Sequence, residues 1–259
     1  MAGMGATVSP ATAVDNTSVA NTPVGNRIEE SPLFPVVLRC ESLPNPLGVD
    51  ALQPRLSWKL MADENARNQV QSAYRIRVAS TLELLALGTA DLWDSNKVLS
   101  GQQLHIEYQG RPLASGKRCY WQVEIWDGLG LKSIPSVVSW WEMGLLRPSD
   151  WTGSWVSDGK KLPEAEEEYY TDDPASLFRR SFHVEKQIAR ARLYSTAIGY
   201  QELRLNGERV SDHVLDPAWT STEKRVAYTC HDVTDQLQEG ENVLGVMLGN
   251  GWANPLPLR

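Results

Sequence analysis

Aromatic, amide and carboxylate side chains cluster near the end of the chain in a pattern that could bind a sugar. Trp219 and Trp252 offer flat apolar faces, on which the C–H face of a sugar ring can stack. Asn206, Asp212 and Asp216 offer oxygen atoms to sugar hydroxyls. All five residues lie near predicted turns, and loops held by a rigid β-sheet framework commonly carry binding residues. We therefore predict carbohydrate contacts at these five positions, and we identify no catalytic residue.

Each of these residues also has a structural explanation. Packing is the favoured role for Trp219, and for Trp252 packing and sugar contact are balanced. Asn206 precedes a glycine, and this pair is typical of a tight β-hairpin turn. The oxygen atoms of Asp212, Asp216 and Asn206 could also bind calcium. Their spacing does not match an EF-hand loop, so we predict no cofactor and keep calcium as the alternative.

The histidines and cysteines do not indicate a metal centre. The four histidines are scattered: His105, His183, His213 and His231. We find none paired with a cysteine or carboxylate at ligand spacing and interpret them as surface or packed residues. The three cysteines are widely spaced: Cys40, Cys119 and Cys230. We predict buried free thiols in a reducing compartment, with a bridge between Cys40 and Cys119 as the alternative.

The elements that must position these side chains are predicted to be β-strands. Alternation of apolar and polar residues indicates strands at residues 36–40, 56–60, 73–79, 105–108, 119–127, 136–143, 177–184, 191–195 and 243–248. Leu203 and Leu205 alternate in a further strand that runs into the Asn-Gly turn. The same alternation places Trp121 in the core, and a short helical turn is predicted at 82–87. The fold class is therefore all-β.

Composition divides the chain and limits its partners. Residues 1–33 are predicted to be a disordered leader because they lack periodicity, and 34–147 and 148–259 each have room for a sandwich core. The 25 Lys and Arg against 32 Asp and Glu, a net charge of -7, argue against nucleic acid or an anionic membrane as partner. The sequence shows neither a span of about 20 apolar residues nor a secretion signal. We predict a cytoplasmic protein.

Several short motifs, in order along the chain, resemble the N-terminal part of bacterial-type α-L-rhamnosidases, glycoside hydrolase family 78, which remove terminal L-rhamnose. The first half carries NPLGVD (45–50), PRLSW (54–58), QSAYRI (71–76), LWDS (92–95) and YWQV (120–123). The second half carries GYQELRLNGERV (199–210), DPAWT (216–220) and LGNGW (248–252). The resemblance implies a fibronectin III or immunoglobulin-like sandwich followed by a jelly-roll-like β-sandwich.

The resemblance also implies a division of labour. Hydrolysis in such enzymes takes place in an (α/α)₆ barrel beyond these two domains, where two carboxyl groups act by inversion. No stretch here matches the motifs of that barrel, so the chain alone is predicted to be inactive. The family's second sandwich continues with further strands where this chain has residues 253–259 with two prolines, so we predict an incomplete, truncated second domain.

The predicted role is an accessory region that supports the missing catalytic (α/α)₆ domain and contacts a rhamnose-containing carbohydrate. Two alternatives remain open. One is a freestanding rhamnose-binding module without hydrolase activity, and the other is a non-functional truncated remnant.

Overall fold

The computed structural model of the protein describes residues 30–160, 164, 165, 167, 174–249 and 251. The predicted leader therefore lies almost wholly outside the described residues, as does Trp252. The regular elements are β1 (Leu33–Cys40), β2 (Arg55–Ala62), β3 (Gln71–Ala79), α1 (Leu82–Ala86), β4 (Trp93–Asp94), β5 (Ile106–Glu107), β6 (Arg118–Asp127), β7 (Ser139–Glu142), β8 (Leu177–Val184), β9 (Arg192–Ser195), β10 (Tyr200–Leu205), β11 (Glu208–Arg209), β12 (Thr229–Asp232) and β13 (Gly240–Gly249). Short 3₁₀ helices cover Pro148–Asp150 and Thr234–Gln236. The prediction of an all-β fold is confirmed.

The first domain is a sandwich of two antiparallel sheets. One sheet has the strand order β1-β2-β5 and the other β4-β3-β6-β7. Their facing sides share a core in which Trp58, Trp121 and Trp141 are buried. The rings of Trp121 and Trp141 meet edge to face with centroids 6.4 Å apart, a favoured aromatic geometry. The predicted core position of Trp121 is confirmed.

The second domain has a four-stranded sheet, β11-β10-β13-β8, and a two-stranded sheet, β12-β9. Asn206 and Gly207 connect β10 to β11 with positive φ angles of 53° and 91°, as a two-residue hairpin turn requires. Leu203 and Leu205 both point into the core, as their alternation predicts. That core is small, with Val210 and Val233 as its other buried members among the described residues.

The two domains meet around a buried carboxylate. Glu142, the last residue of β7, has 1% of its side chain exposed. It accepts hydrogen bonds from Arg118 Nε of the same domain at 2.9 Å and from Arg192 Nε of the second domain at 2.8 Å. Arg190 adds a longer contact at 3.4 Å. A carboxylate removed from water is stable only when charged donors surround it, and two of these donors come from the other domain.

Close packing of small residues completes the contact. The backbone N–H of Leu145 donates to the Tyr228 hydroxyl at 3.0 Å. A Cβ on Gly144 would collide with that hydroxyl, and a Cβ on Gly48 would lie 2.9 Å from the Cβ of Cys230. Glycine at these two positions therefore allows the domains to approach each other.

Cys40, Cys119 and Cys230 are free thiols, and the first two are buried. Burial raises the pKa of Cys40, raises that of Cys119 to about 12 and raises that of Cys230 to about 11. No helix in the described part of the chain is long and apolar enough to cross a membrane.

We expect the three thiols to resist alkylation by iodoacetamide in the native protein at about pH 8. A raised pKa keeps the reactive thiolate scarce, and burial keeps the reagent away. Mass spectrometry after timed exposure should show all three modified only in denaturant, with half-buried Cys230 first. Rapid modification of Cys40 or Cys119 in the folded protein would contradict the buried environment described above.

We expect Glu142→Ala to destabilise the protein strongly, because it leaves two or three arginines without their buried anion. Breaking one side of a buried ion pair typically costs about 3–5 kcal/mol. Urea unfolding followed by tryptophan fluorescence measures the loss. The control is Glu41→Ala, which removes the partially exposed pair with Arg55 and should leave the unfolding midpoint nearly unchanged. Equal effects of the two variants would mean that Glu142 contributes no more than a surface charge.

Candidate ligand-binding site

A narrow cleft lies in the second domain where β10, β12 and the loop after β11 converge. Its lining includes Gln201, Glu202, Arg209, His213, Asp216 and His231. Two of these residues come from β10, one from β11, one from β12 and two from the loop. The cleft therefore forms only when these separate segments are assembled.

Backbone contacts hold the loop against β10. The N–H of Gln201 donates to the carbonyl of Asp216 at 2.6 Å, and the N–H of Val210 donates to the carbonyl of Leu203 at 3.0 Å. The first contact fixes Asp216 beside the start of β10. Its carboxylate is mostly buried, with 14% of the side chain exposed.

Asp216 lies between two imidazoles. Its Oδ2 is 3.8 Å from His213 Nδ1 and 3.7 Å from His231 Nε2. The two histidine rings are themselves adjacent, with centroids 5.4 Å apart. One potential metal-ligand atom from each of the three residues lies within 4.8 Å of the others. We call these residues the His-Asp cluster.

His231 is the buried member of the His-Asp cluster, with 6% exposure. Burial lowers its pKa, and nearby His213 adds to that effect, while Asp216 acts in the opposite direction. The net shift is downward, so the imidazole is neutral at neutral pH. A neutral imidazole has one ring nitrogen with a free electron pair.

Gln201, which also lines the cleft, carries an unsatisfied hydrogen-bond donor. The residue is 9% exposed, and its Oε1 accepts a hydrogen bond from Ser195 Oγ at 2.6 Å. Its Nε2 is buried and has no hydrogen-bond partner in the described part of the protein. Because an unpaired buried donor is costly, this amide is suited to donate to a ligand or water oxygen.

The structure brings one of the five predicted residues, Asp216, into the cleft. Asp212 is exposed beside His213 on the same loop. Trp219 follows three residues after Asp216 and is 67% exposed. The favoured packing role for Trp219 is not met by the described residues and stays a prediction. Trp252 lies outside the described residues.

Asn206 is engaged by the fold. Its Nδ2 donates to Asn242 Oδ1 and to the Gln236 carbonyl, each at 2.9 Å. Its Oδ1 accepts from the N–H of Val243 at 2.9 Å. Two of these bonds tie the hairpin turn to β13, and the bond to Gln236 ties it to the 3₁₀ helix before β13. A sugar contact at Asn206 stays a prediction, but both atoms of its side-chain amide already form hydrogen bonds within the fold.

Sequence reasoning missed His213, His231 and Gln201. The interpretation that no histidine is paired with a carboxylate is wrong, because both imidazoles flank Asp216. The spacing of three residues between His213 and Asp216 was a usable signal for half of the cluster. Nothing in the sequence places His231 there, since its approach depends on how β12 pairs with β9.

Two family models match the chain. Residues 35–147 match the Rha78A-like, N-terminal immunoglobulin domain, and residues 186–256 match the alpha-L-rhamnosidase N-terminal domain. Among curated relatives, an alpha-L-rhamnosidase of Formosa agariphila is 38% identical over 231 residues, covering 84% of this chain and 24% of its own length. An alpha-L-rhamnosidase of an Alteromonas species is 37% identical over 213 residues, covering 82% of this chain and 23% of its own length.

Solved structures that resemble the chain are also alpha-L-rhamnosidases. An alpha-L-rhamnosidase structure from Dictyoglumus thermophilum has a TM-score of 0.78 and 39% identity, and covers 85% of this chain and 25% of that one. One from Aspergillus terreus has a TM-score of 0.70 and 32% identity, and covers 85% of this chain and 24% of that one. The chain thus spans about a quarter of the length of the curated relatives it matches.

We expect Asn206→Ala to destabilise the second domain, because it removes three hydrogen bonds and leaves partners on the neighbouring strand unpaired. The loss should be about 1–3 kcal/mol, measured by urea unfolding. Asn68→Ala is the matched control, since Asn68 is exposed and has a similar positive φ of 55°. It introduces the same backbone strain without the hydrogen-bond loss. If both variants lose the same stability, the strain alone accounts for the effect.

Proposed function

The chain belongs to the α-L-rhamnosidase family, and on that basis we propose that it forms the N-terminal accessory region of an enzyme that hydrolyses terminal α-L-rhamnose from rhamnosides. The observation that carries this proposal is one continuous similarity. A relative named alpha-L-rhamnosidase aligns over 231 residues, 84% of this chain but 24% of its own length. The accessory region supports a catalytic (α/α)₆ domain and does not itself carry out hydrolysis.

The interface between the domains supports a scaffolding role. Glu142 and its arginines from both domains hold the two sandwiches in one orientation. A fixed pair presents a single surface to a third domain, whereas a flexible linker would not. We assign residues 34–147 to the first domain and 148–259 to the second. The three free thiols favour a reducing compartment, the cytoplasm.

Sugar contact is the second part of the proposal. Trp219 is 67% exposed, and its indole gives the methyl group and C–H face of rhamnose a surface for stacking. Asp212 and Asp216 lie on the same loop and accept hydrogen bonds from sugar hydroxyls. Asn206 positions the adjoining turn, and a contact of Trp252 with the sugar stays a prediction from the sequence. The net charge of -7 suits a neutral ligand better than an anionic one.

We expect millimolar L-rhamnose to raise the melting temperature of the purified chain, because a ligand that binds only the folded state stabilises it by mass action. D-Glucose at the same concentration is the ligand control. Trp219→Ala should weaken binding, with stacking alone contributing about 0.5–1.5 kcal/mol. Trp155→Ala is the matched variant, since Trp155 is 65% exposed but lies outside the loop, and it should bind like the parent chain.

The same preparation separates the alternatives. An aryl α-L-rhamnoside assay of the chain alone should release no aglycone. If the chain binds L-rhamnose without hydrolysing the rhamnoside, it is either an accessory region or a freestanding binding module. An accessory region should associate with the catalytic part of a relative, and a freestanding module should not. A cooperative melt whose melting temperature is unchanged by L-rhamnose would contradict the sugar contact but not the scaffolding role. A second domain that shows no cooperative melt is the outcome expected of a remnant.

A further inference from the structure

We propose that His213, Asp216 and His231 form a binding site for a divalent transition-metal ion of the zinc class. This inference shares Asp216 with the proposed sugar contact but does not rest on that contact, and it goes beyond the proposed accessory function. It rests on the geometry of the His-Asp cluster and on the types of ligand atom.

The distances suit a small ion. Zinc binds histidine nitrogen and carboxylate oxygen at about 2.0–2.2 Å, usually with tetrahedral geometry. Two ligand atoms of such a centre are then about 3.3–3.6 Å apart. The Asp216 oxygen is 3.8 Å from His213 Nδ1 and 3.7 Å from His231 Nε2. All three ligand atoms lie within 4.8 Å of one another, and side-chain rotations, mainly of exposed His213, would bring them to bonding distance.

The ligand types select the class of metal. Calcium and magnesium prefer shells made entirely of oxygen, whereas two imidazole nitrogens with one carboxylate suit zinc, cobalt, nickel or copper. Three protein ligands leave a fourth position for water. Asn206, one of the oxygen donors considered for calcium, has its amide committed to three hydrogen bonds. The structure therefore favours a transition metal over calcium at this loop.

The surroundings of the two imidazoles fit ligation. His231 Nε2 also contacts the Thr229 hydroxyl at 3.0 Å, and that hydroxyl reaches the Ser195 carbonyl at 3.4 Å. Thr229 can therefore donate to Ser195 when a metal takes the electron pair of His231. His213 is exposed, so its ring can turn toward the ion without disturbing the core.

The other polar groups of the cleft leave the His-Asp cluster available. Glu202, the remaining carboxylate in the lining, is paired with Arg204 at 2.9 Å and Arg209 at 3.1 Å. Gln201 also lines the cleft, and its side chain is uncharged, so it does not compete with the His-Asp cluster for a cation.

Isothermal titration of the full chain with zinc chloride, after treatment with chelator and in the absence of sugar, tests the proposal. We expect one zinc ion per chain, a rise in melting temperature with zinc, and no saturable binding of calcium. Cobalt(II) should give the intense visible absorption of a tetrahedral centre. His213→Ala and Asp216→Asn should each weaken zinc affinity by at least about tenfold, the lower range seen for changes around metal sites.

The control is His183→Ala, because His183 is exposed and lies beside Glu241 at 3.1 Å but outside the cleft. It should bind zinc like the parent chain. His213 is exposed, so its replacement should leave the far-ultraviolet circular dichroism unchanged. The proposal is overturned by less than one saturable zinc ion, by calcium bound in preference to zinc, or by equal losses in His183→Ala and His213→Ala. Because no sugar is present, failure here leaves the rhamnose proposal untouched.

Discussion

The arrangement of the two domains depends on how a buried negative charge is compensated. Glu142 ends the last strand of the first sandwich, and 1% of its side chain is exposed. Arg118 of its own domain supplies one donor, but Arg190 and Arg192 of the second domain supply the rest. Burial lowers the pKa of Arg192, but its hydrogen bond to Glu142 and the charges of Glu142 and Asp232 raise that pKa by more. The carboxylate and the two arginines of the second domain stabilise each other only when the domains are docked.

The small sheet of β9 and β12 serves both the domain contact and the cleft. In β12, Cys230 packs toward Gly48 of the first domain, and the next residue, His231, lies in the cleft. Side chains alternate between the two faces of a strand, so neighbouring residues face opposite ways. The interface and the His-Asp cluster are thus one residue apart on the same strand. Changes that move β12 at the interface should also move His231.

The fold was more predictable from the sequence than the site. The alternation of apolar and polar residues around Trp121, Leu203 and Leu205 identified strands. It also identified the inner face of each strand, because every second side chain of a half-buried strand points into the core. The Asn206 turn was equally local. The sequence predicted only that Glu142 lies in a strand. Its burial was not predictable, because the second domain causes it and the periodicity of one strand carries no information about another domain. His231 joins Asp216 through strand pairing, and exposed Trp219 departs from the usual burial of indoles. The burial of Glu142, the position of His231 and the exposure of Trp219 can be seen only in the folded structure.

Gly48 has a further consequence for how the strand can pair. Slipping a strand by one residue exchanges its two faces, which in β12 would turn the imidazole of His231 toward the space that Gly48 leaves for Cys230. That space is narrow, since even an added methyl group on Gly48 would lie 2.9 Å from the Cys230 Cβ. A mispaired second domain could not dock against the first and would leave Glu142 without its distant arginines. Docking of the second sandwich against the first therefore requires the register of β12 that the structure shows.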